Sequence, residues 1–244
     1  MDAASSPSNT AHHAPSVEPV RFSAGTKRLD ISLLIETILV TIAAILAIRL
    51  LEQSSLANWS LAPAILIACS LIATIARKNK VSELGLNLNQ VGLSLRLLCW
   101  TCLTVFPITF LLLWLMRSFA WALPLRPALP QNQSWLTWLL YQFMYVAVAE
   151  EVFFRGYVQS NILRLTAAAP RQHSSPQVWI SVVVSAGLFA AAHIVIQGQI
   201  VSILTFLPGL LLAWLFLRTK SLLAPILFHG LANACYYWTA AVLT

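Results

Sequence analysis

Acidic side chains are what this chain has least of. Asp and Glu together fill 8 of 244 positions, and beyond Glu83 the only ones left are Glu150 and Glu151. Charged residues of both signs amount to 9%, against 59% apolar. A soluble domain carries about 25% charged residues, so a chain with so few excludes one and takes the bilayer as its solvent. The mean hydropathy of +0.77 says the same.

Several other absences narrow the reading. The formal charge of +7 comes from basic residues placed singly along the chain, not from a patch, which excludes nucleic acid as a partner and leaves orientation in a membrane as their use. Four cysteines, Cys69, Cys99, Cys102 and Cys235, fall in apolar segments and are expected to behave as small buried hydrophobes. Cys99 and Cys102 have C-x-x-C spacing, but no second pair or nearby His completes a metal site, and no disulfide framework can be read. Residues 1–25 lack the apolar block of a signal peptide and read as a disordered Ser/Pro/Ala/His-rich tail, with His12 and His13 solvated. No repeat of fixed period and no soluble domain is present.

What is there is a succession of apolar runs. Spans are expected at 31–51, with Glu36 near its start, and at 59–76, 93–116, 134–165, 177–196, 200–217 and 222–243. The segment 81–90 alternates Leu84, Leu86 and Leu88 with polar residues; it is too polar to span and is expected as an interfacial amphipathic helix. Arg117, Trp121, Pro124, Arg126, Pro127 and Pro130 form an external loop, since three prolines break any helix and the Trp suits the headgroup level. Lys27, Arg28, Arg77, Lys78, Lys80, Arg164, Arg171, Arg218 and Lys220 gather on one side, which places the amino terminus and the even-numbered connections in the cytoplasm. The fold class is therefore all-α: a polytopic transmembrane bundle of about seven spanning helices, occupying 26–244 after the tail.

Glu150 and Glu151 interrupt the apolar run 135–158. An ionised carboxylate in hydrocarbon costs a few kcal/mol on insertion scales, so an intramembrane pair marks a functional site by default. Glu151 and Arg155 lie one helical turn apart and can pair, while Glu150, about 100° round the helix, faces another partner. Phe189 and His193 share one face of the fifth span, and His229 and Asn233 one face of the seventh. Small residues Ser181, Ser185 and Gly187 on the fifth span permit close helix contact. Each cluster alone is open to a packing interpretation, with the glutamates merely tying helices together through Arg155. Jointly they offer a carboxylate to take a proton from water, an imidazole to share it, and two donors for an oxyanion, the parts needed to hydrolyse an amide. No Ser or Cys sits beside these histidines as a nucleophile.

In this order, Glu150-Glu151 with Arg155, Phe189 with His193, and His229 with Asn233 resemble the motifs of the CAAX-protease and bacteriocin-processing family of intramembrane endopeptidases, which includes the Rce1-type prenyl endopeptidases. Phe153-Phe154-Arg155-Gly156 and Leu222-Leu223-Ala224-Pro225-Ile226 also look like that family, and the likeness covers about 134–238, with Ser82-Glu83-Leu84-Gly85-Leu86 upstream. The resemblance implies a glutamate-type protease in which Glu150 and His193 activate water, His229 and Asn233 stabilise the oxyanion, and Glu151, Arg155 and Phe189 support them. It implies a membrane-anchored protein or peptide substrate in the lipid bilayer, with CAAX, leader-peptide or sorting-tail processing all open, and no cofactor. A zinc version would use Glu150, His193 and His229, although H-E-x-x-H is missing. A proton-coupled transporter and a non-catalytic scaffold or immunity protein are the other readings, the first without paired halves or matched broken helices to favour it. A bacterial inner membrane is the expected setting.

Overall fold

The computed structural model describes residues 30–53, 61–125, 134–166 and 176–243. The expected tail with His12 and His13 lies outside the described residues, as do Lys27, Arg28, Trp59, Arg126, Pro127, Pro130 and Arg171.

Seven helical runs and no strand are found among the described residues. They are α1 (Ile31–Gln53), α2 (Leu61–Ala76), α3 (Val91–Ser118), a composite α4 over 135–166, α5 (Pro176–Gln197), α6 (Phe206–Thr219) and α7 (Leu223–Leu243). Four stretches, Ile31–Gln53, Val91–Ser118, Val178–Gln197 and Ile200–Thr219, are long and apolar enough to cross a membrane by length and composition. The last of these is α6 together with a preceding 3-10 turn, Ile200–Thr205. Helix α2 is apolar but has 16 residues, and at 1.5 Å per residue it falls short of a hydrocarbon core of about 30 Å.

The apolar chain solves its backbone problem by helices, as lipid demands. Several hydroxyls inside them are satisfied within their own helix: Thr37 donates to the Leu33 carbonyl, Thr41 to Thr37 and Ser70 to Leu66. These three hydroxyls are thereby buried without an orphaned donor.

Helix α4 is the axis. All eight residues of Val152–Gln159 are buried, Phe153 and Val158 completely, whereas α1 and α3 keep broad apolar faces exposed, as lipid-facing helices do. Its burial continues as a core cluster with Ala44, Ile48, Leu66, Phe189, Phe216 and Leu222. The run is unbroken to Thr166. Below the glutamates it is tied to α1 and α2 by a polar knot: Tyr157 donates to Glu36 Oε1 at 3.2 Å, Arg77 pairs with the other oxygen of Glu36, and Asn161 donates to Thr37 Oγ1.

The segment 81–90 forms one 3-10 turn, Val81–Leu84, instead of the expected interfacial helix. Gly85 stops it by adopting φ +83°, where an L side chain is strained, and the chain then leaves to meet α7, with Leu222 N–H donating to the Gly85 carbonyl. This turn rests on α4 at Gly156, where an added Cβ would meet the Leu84 carbonyl oxygen at 2.7 Å. Gly156→Ala is therefore expected to lift the turn off α4 and destabilise the protein by about 1–3 kcal/mol, the range of an overpacked contact. Thermal unfolding in detergent checks this against Gly92→Ala, where a Cβ meets nothing within 4 Å.

Two smaller expectations are corrected. All four cysteines are free, but none is fully buried, and Cys99 is exposed because it falls on the outer face of α3. Of the three small residues on α5, Ser181 and Ser185 are buried, whereas a Cβ on Gly187 would meet nothing within 4 Å, so that glycine makes no close helix contact.

Candidate active site

Two π-helical stretches, Gln142–Ala147 and Val152–Gln159, flank the single α-turn Val148–Glu151 that carries both glutamates. A π turn bonds i to i+5, is rare, and recurs at functional sites. It also leaves carbonyls in need of other donors: Ser185 on α5 donates to the Phe154 carbonyl at 2.9 Å, and Ser160 to that of Arg155. The small serine thus both admits α5 and satisfies α4.

Glu151 and Arg155 are fully buried. Arg155 Nη1 lies 3.2 Å from Glu151 Oε1, Nη2 donates to the Gly209 carbonyl at 3.2 Å, and its guanidinium carbon sits 4.4 Å from the Phe189 ring centroid. Gly209 can present that carbonyl because its own missing Cβ would press on Phe189 and Ala186 at 3.3–3.4 Å. One charge pair is thereby held by a carbonyl and an aromatic face, which offsets part of its desolvation.

Glu151 has a second partner, 78 residues away in sequence. His229 Nδ1 is 2.8 Å from Glu151 Oε1, so the ring N–H donates to the carboxylate and fixes the ring's orientation. His193 is fixed likewise, its Nδ1–H donating to the Phe189 carbonyl at 2.9 Å. Phe189 packs between them, with ring centroids 4.4 Å from His193 and 5.9 Å from His229.

Both imidazoles consequently aim Nε2 at Glu150. Its Oε2 is 3.7 Å from His229 Nε2 and 3.9 Å from His193 Nε2, too long for direct hydrogen bonds. The same oxygen is buried and has no hydrogen-bond partner among the described residues, although the side chain as a whole is 19% exposed. Glu150, His193 and His229, drawn from α4, α5 and α7, converge on one point.

Asn233 takes a different partner. Its Nδ2 donates to Gln142 Oε1 at 2.9 Å, the middle of a ladder that locks α7 to α4: Trp138 packs edge-on against Tyr237, Phe143 against Gly230, and Glu151 bonds His229. At Gly230 a Cβ would enter the Phe143 ring at 2.4 Å, so the glycine after His229 sets the close approach of the two helices. Gln142 and Gly209 were not singled out from sequence. Gln142 carried a signal, being a lone amide in an apolar run two turns before Glu150; a carbonyl such as that of Gly209 carries none.

Among the described residues, no three His, Cys, Asp or Glu side chains are spaced as a metal-binding group, and that includes Glu150, His193 and His229.

Residues 132–235 match the Rce1-like family model, described as type II CAAX prenyl endopeptidase Rce1-like. That segment contains every residue of the converging site and is the family the three motifs resemble. Neither a curated protein nor a solved structure matches the chain. With its apolar helices, the chain is an integral membrane protein, and its 132–235 segment is similar to the Rce1-like family.

Proposed function

From an Rce1-like segment that holds the whole converging site, we propose that this chain is a glutamate-type intramembrane endopeptidase, with Glu150 as the base that activates water. The observation that carries this is Glu150 Oε2, buried, without a hydrogen bond among the described residues, and facing two oriented imidazoles. A buried acceptor left open is costly in a folded protein unless the site uses it.

In this reading a water oxygen attacks the scissile carbonyl carbon as Glu150 takes its proton. His193, whose Nδ1–H is spent on the Phe189 carbonyl, orients that water through its Nε2 lone pair, and the proton taken by Glu150 passes through this Nε2 to the amide nitrogen as the C–N bond breaks. His229 in its doubly protonated form and Asn233, with the amide hydrogen that Gln142 does not take, donate to the oxyanion. Glu151 orients His229, and Arg155 holds Glu151. The products are a carboxylate and an amine. The substrate class this reading favours is a membrane-anchored protein with a CAAX-type carboxyl terminus.

One observation favours the zinc version: each histidine already donates Nδ1–H to an acceptor, the second-shell pattern of metal-ligating imidazoles. Against it stands the missing H-E-x-x-H pair of soluble zinc proteases. A single assay separates the two readings, following cleavage of a lipid-anchored peptide in proteoliposomes by mass spectrometry, with and without chelator. His193→Ala is expected to slow cleavage by about 10²–10⁴-fold, the range of a lost acid–base group, while wild type resists chelation. Chelator sensitivity transfers the site to zinc; unchanged turnover in His193→Ala overturns the assignment.

A further inference from the structure

An open cleft of about 310 Å³ lies at the end of α6, away from Glu150, between the Val81–Leu84 turn, the last turns of α4 and Lys220. Its walls differ in chemistry. Leu163, Phe216 and Leu217 make up its apolar lining, and Arg164 and Lys220 its basic lining. Arg164 is paired with Glu83. Among the described residues, no acceptor or carboxylate takes the Lys220 ammonium.

Lys220 is held there by its main chain. It ends α6 with φ +53°, its N–H donating to the Phe216 carbonyl and its own carbonyl accepting from Asn87 Nδ2 at 2.9 Å. Ser221 Oγ grips the Asn87 carbonyl beside it at 2.7 Å, so the lysine stands on a latched corner. Gln159 adds an independent sign. It is 1% exposed and lines the cleft, its Nε2 is committed to the Ala213 carbonyl, and its Oε1 has no partner among the described residues.

A cation without a counter-ion, a buried acceptor without a donor and an apolar wall match one kind of molecule. We propose that this cleft binds the headgroup of an anionic glycerophospholipid, with Lys220 on the phosphate, Gln159 Oε1 accepting from a headgroup hydroxyl, and an acyl chain against Leu163, Phe216 and Leu217. The site is separate from the proteolytic reading and does not depend on it. It sits one turn beyond Arg155 on the same helix, so an occupied cleft braces the end of α4.

The test is thermal unfolding of the full chain in detergent, with phosphatidylglycerol, phosphatidylcholine or inorganic phosphate added, and lipid retention followed by native mass spectrometry. The informative variant is Lys220→Gly. Glycine adopts φ +53° without strain, so the variant should fold at least as well as wild type. Lys78→Gly is the matched control, since Lys78 also has positive φ (+56°) and lies outside the cleft.

Phosphatidylglycerol is expected to raise the melting temperature of wild type and Lys78→Gly, and phosphatidylcholine not to. Lys220→Gly should weaken phosphatidylglycerol binding by about tenfold or more, the effect of one charge-assisted hydrogen bond. Protection by inorganic phosphate that is likewise lost in Lys220→Gly supports the anion site and gives its source as free phosphate. Equal protection of wild type and Lys220→Gly by phosphatidylglycerol, or equal protection of wild type by phosphatidylcholine, overturns the proposal.

Discussion

Glu150→Gln is expected to abolish cleavage and, at the same time, to leave the fold as stable or more so. The two effects have one cause. The substitution keeps the volume and the shape of the side chain but removes the anion, so no group remains to take the proton from water, and the loss should reach about 10³-fold or more. Stability should move the other way because Glu150 Oε2 makes no hydrogen bond to the described residues and its two imidazole neighbours stand at 3.7 Å and 3.9 Å. A carboxylate held in that position costs free energy in an apolar setting, and a neutral amide relieves it. Single-turnover cleavage and thermal unfolding, measured on one preparation, check both halves. A variant that cleaves normally, or that loses activity only because it has unfolded, contradicts this account of Glu150.

The neighbouring glutamate should behave in the opposite way. Arg155→Met is expected to destabilise the protein by about 3–5 kcal/mol, since it leaves Glu151 as a buried charge with a partner removed. Three contacts go at once: the Glu151 pair, the bond to the Gly209 carbonyl, and the stack on Phe189. Arg155→Lys should not restore them, because an ammonium cannot fork between a carboxylate and a carbonyl while lying flat on a ring. The double variant Glu151→Gln with Arg155→Met removes both charges and should recover much of the lost stability. It should stay poorly active, because His229 then loses the carboxylate that orients it. Unfolding midpoints for the two singles and the double form a cycle, and simple additivity would show that Glu151 and Arg155 do not act as a pair.

How much of this the sequence disclosed depended on distance along the chain. Glu151 and Arg155 are four residues apart, and α-helix geometry alone brought them together. The helical class and the unbroken run of α4 past Arg155 followed from apolar length. The Glu151 to His229 bond did not, nor did Asn233 with Gln142, because these cross between helices whose rotation and separation are set by packing at Gly230, Gly209 and Ser185. Motif order suggested His229 and Asn233 as a matched pair of donors; the fold gives them different hydrogen-bond partners, a carboxylate and an amide. The 3-10 turn at Val81–Leu84 was hidden for a related reason, since alternating leucines describe polarity but not the left-handed Gly85 that ends the helix after one turn.

The loosened winding on either side of the glutamates has a practical consequence. A turn closed by i to i+5 bonds takes in an extra residue, so angular position no longer advances at 3.6 residues per revolution through 142–159. A helical wheel drawn over 135–166 as one cylinder therefore assigns wrong azimuths to everything beyond the first wide turn. Probe positions for cross-linking or spin labelling on this helix have to be chosen in two phases, one up to Tyr141 and another from Ser160 onward.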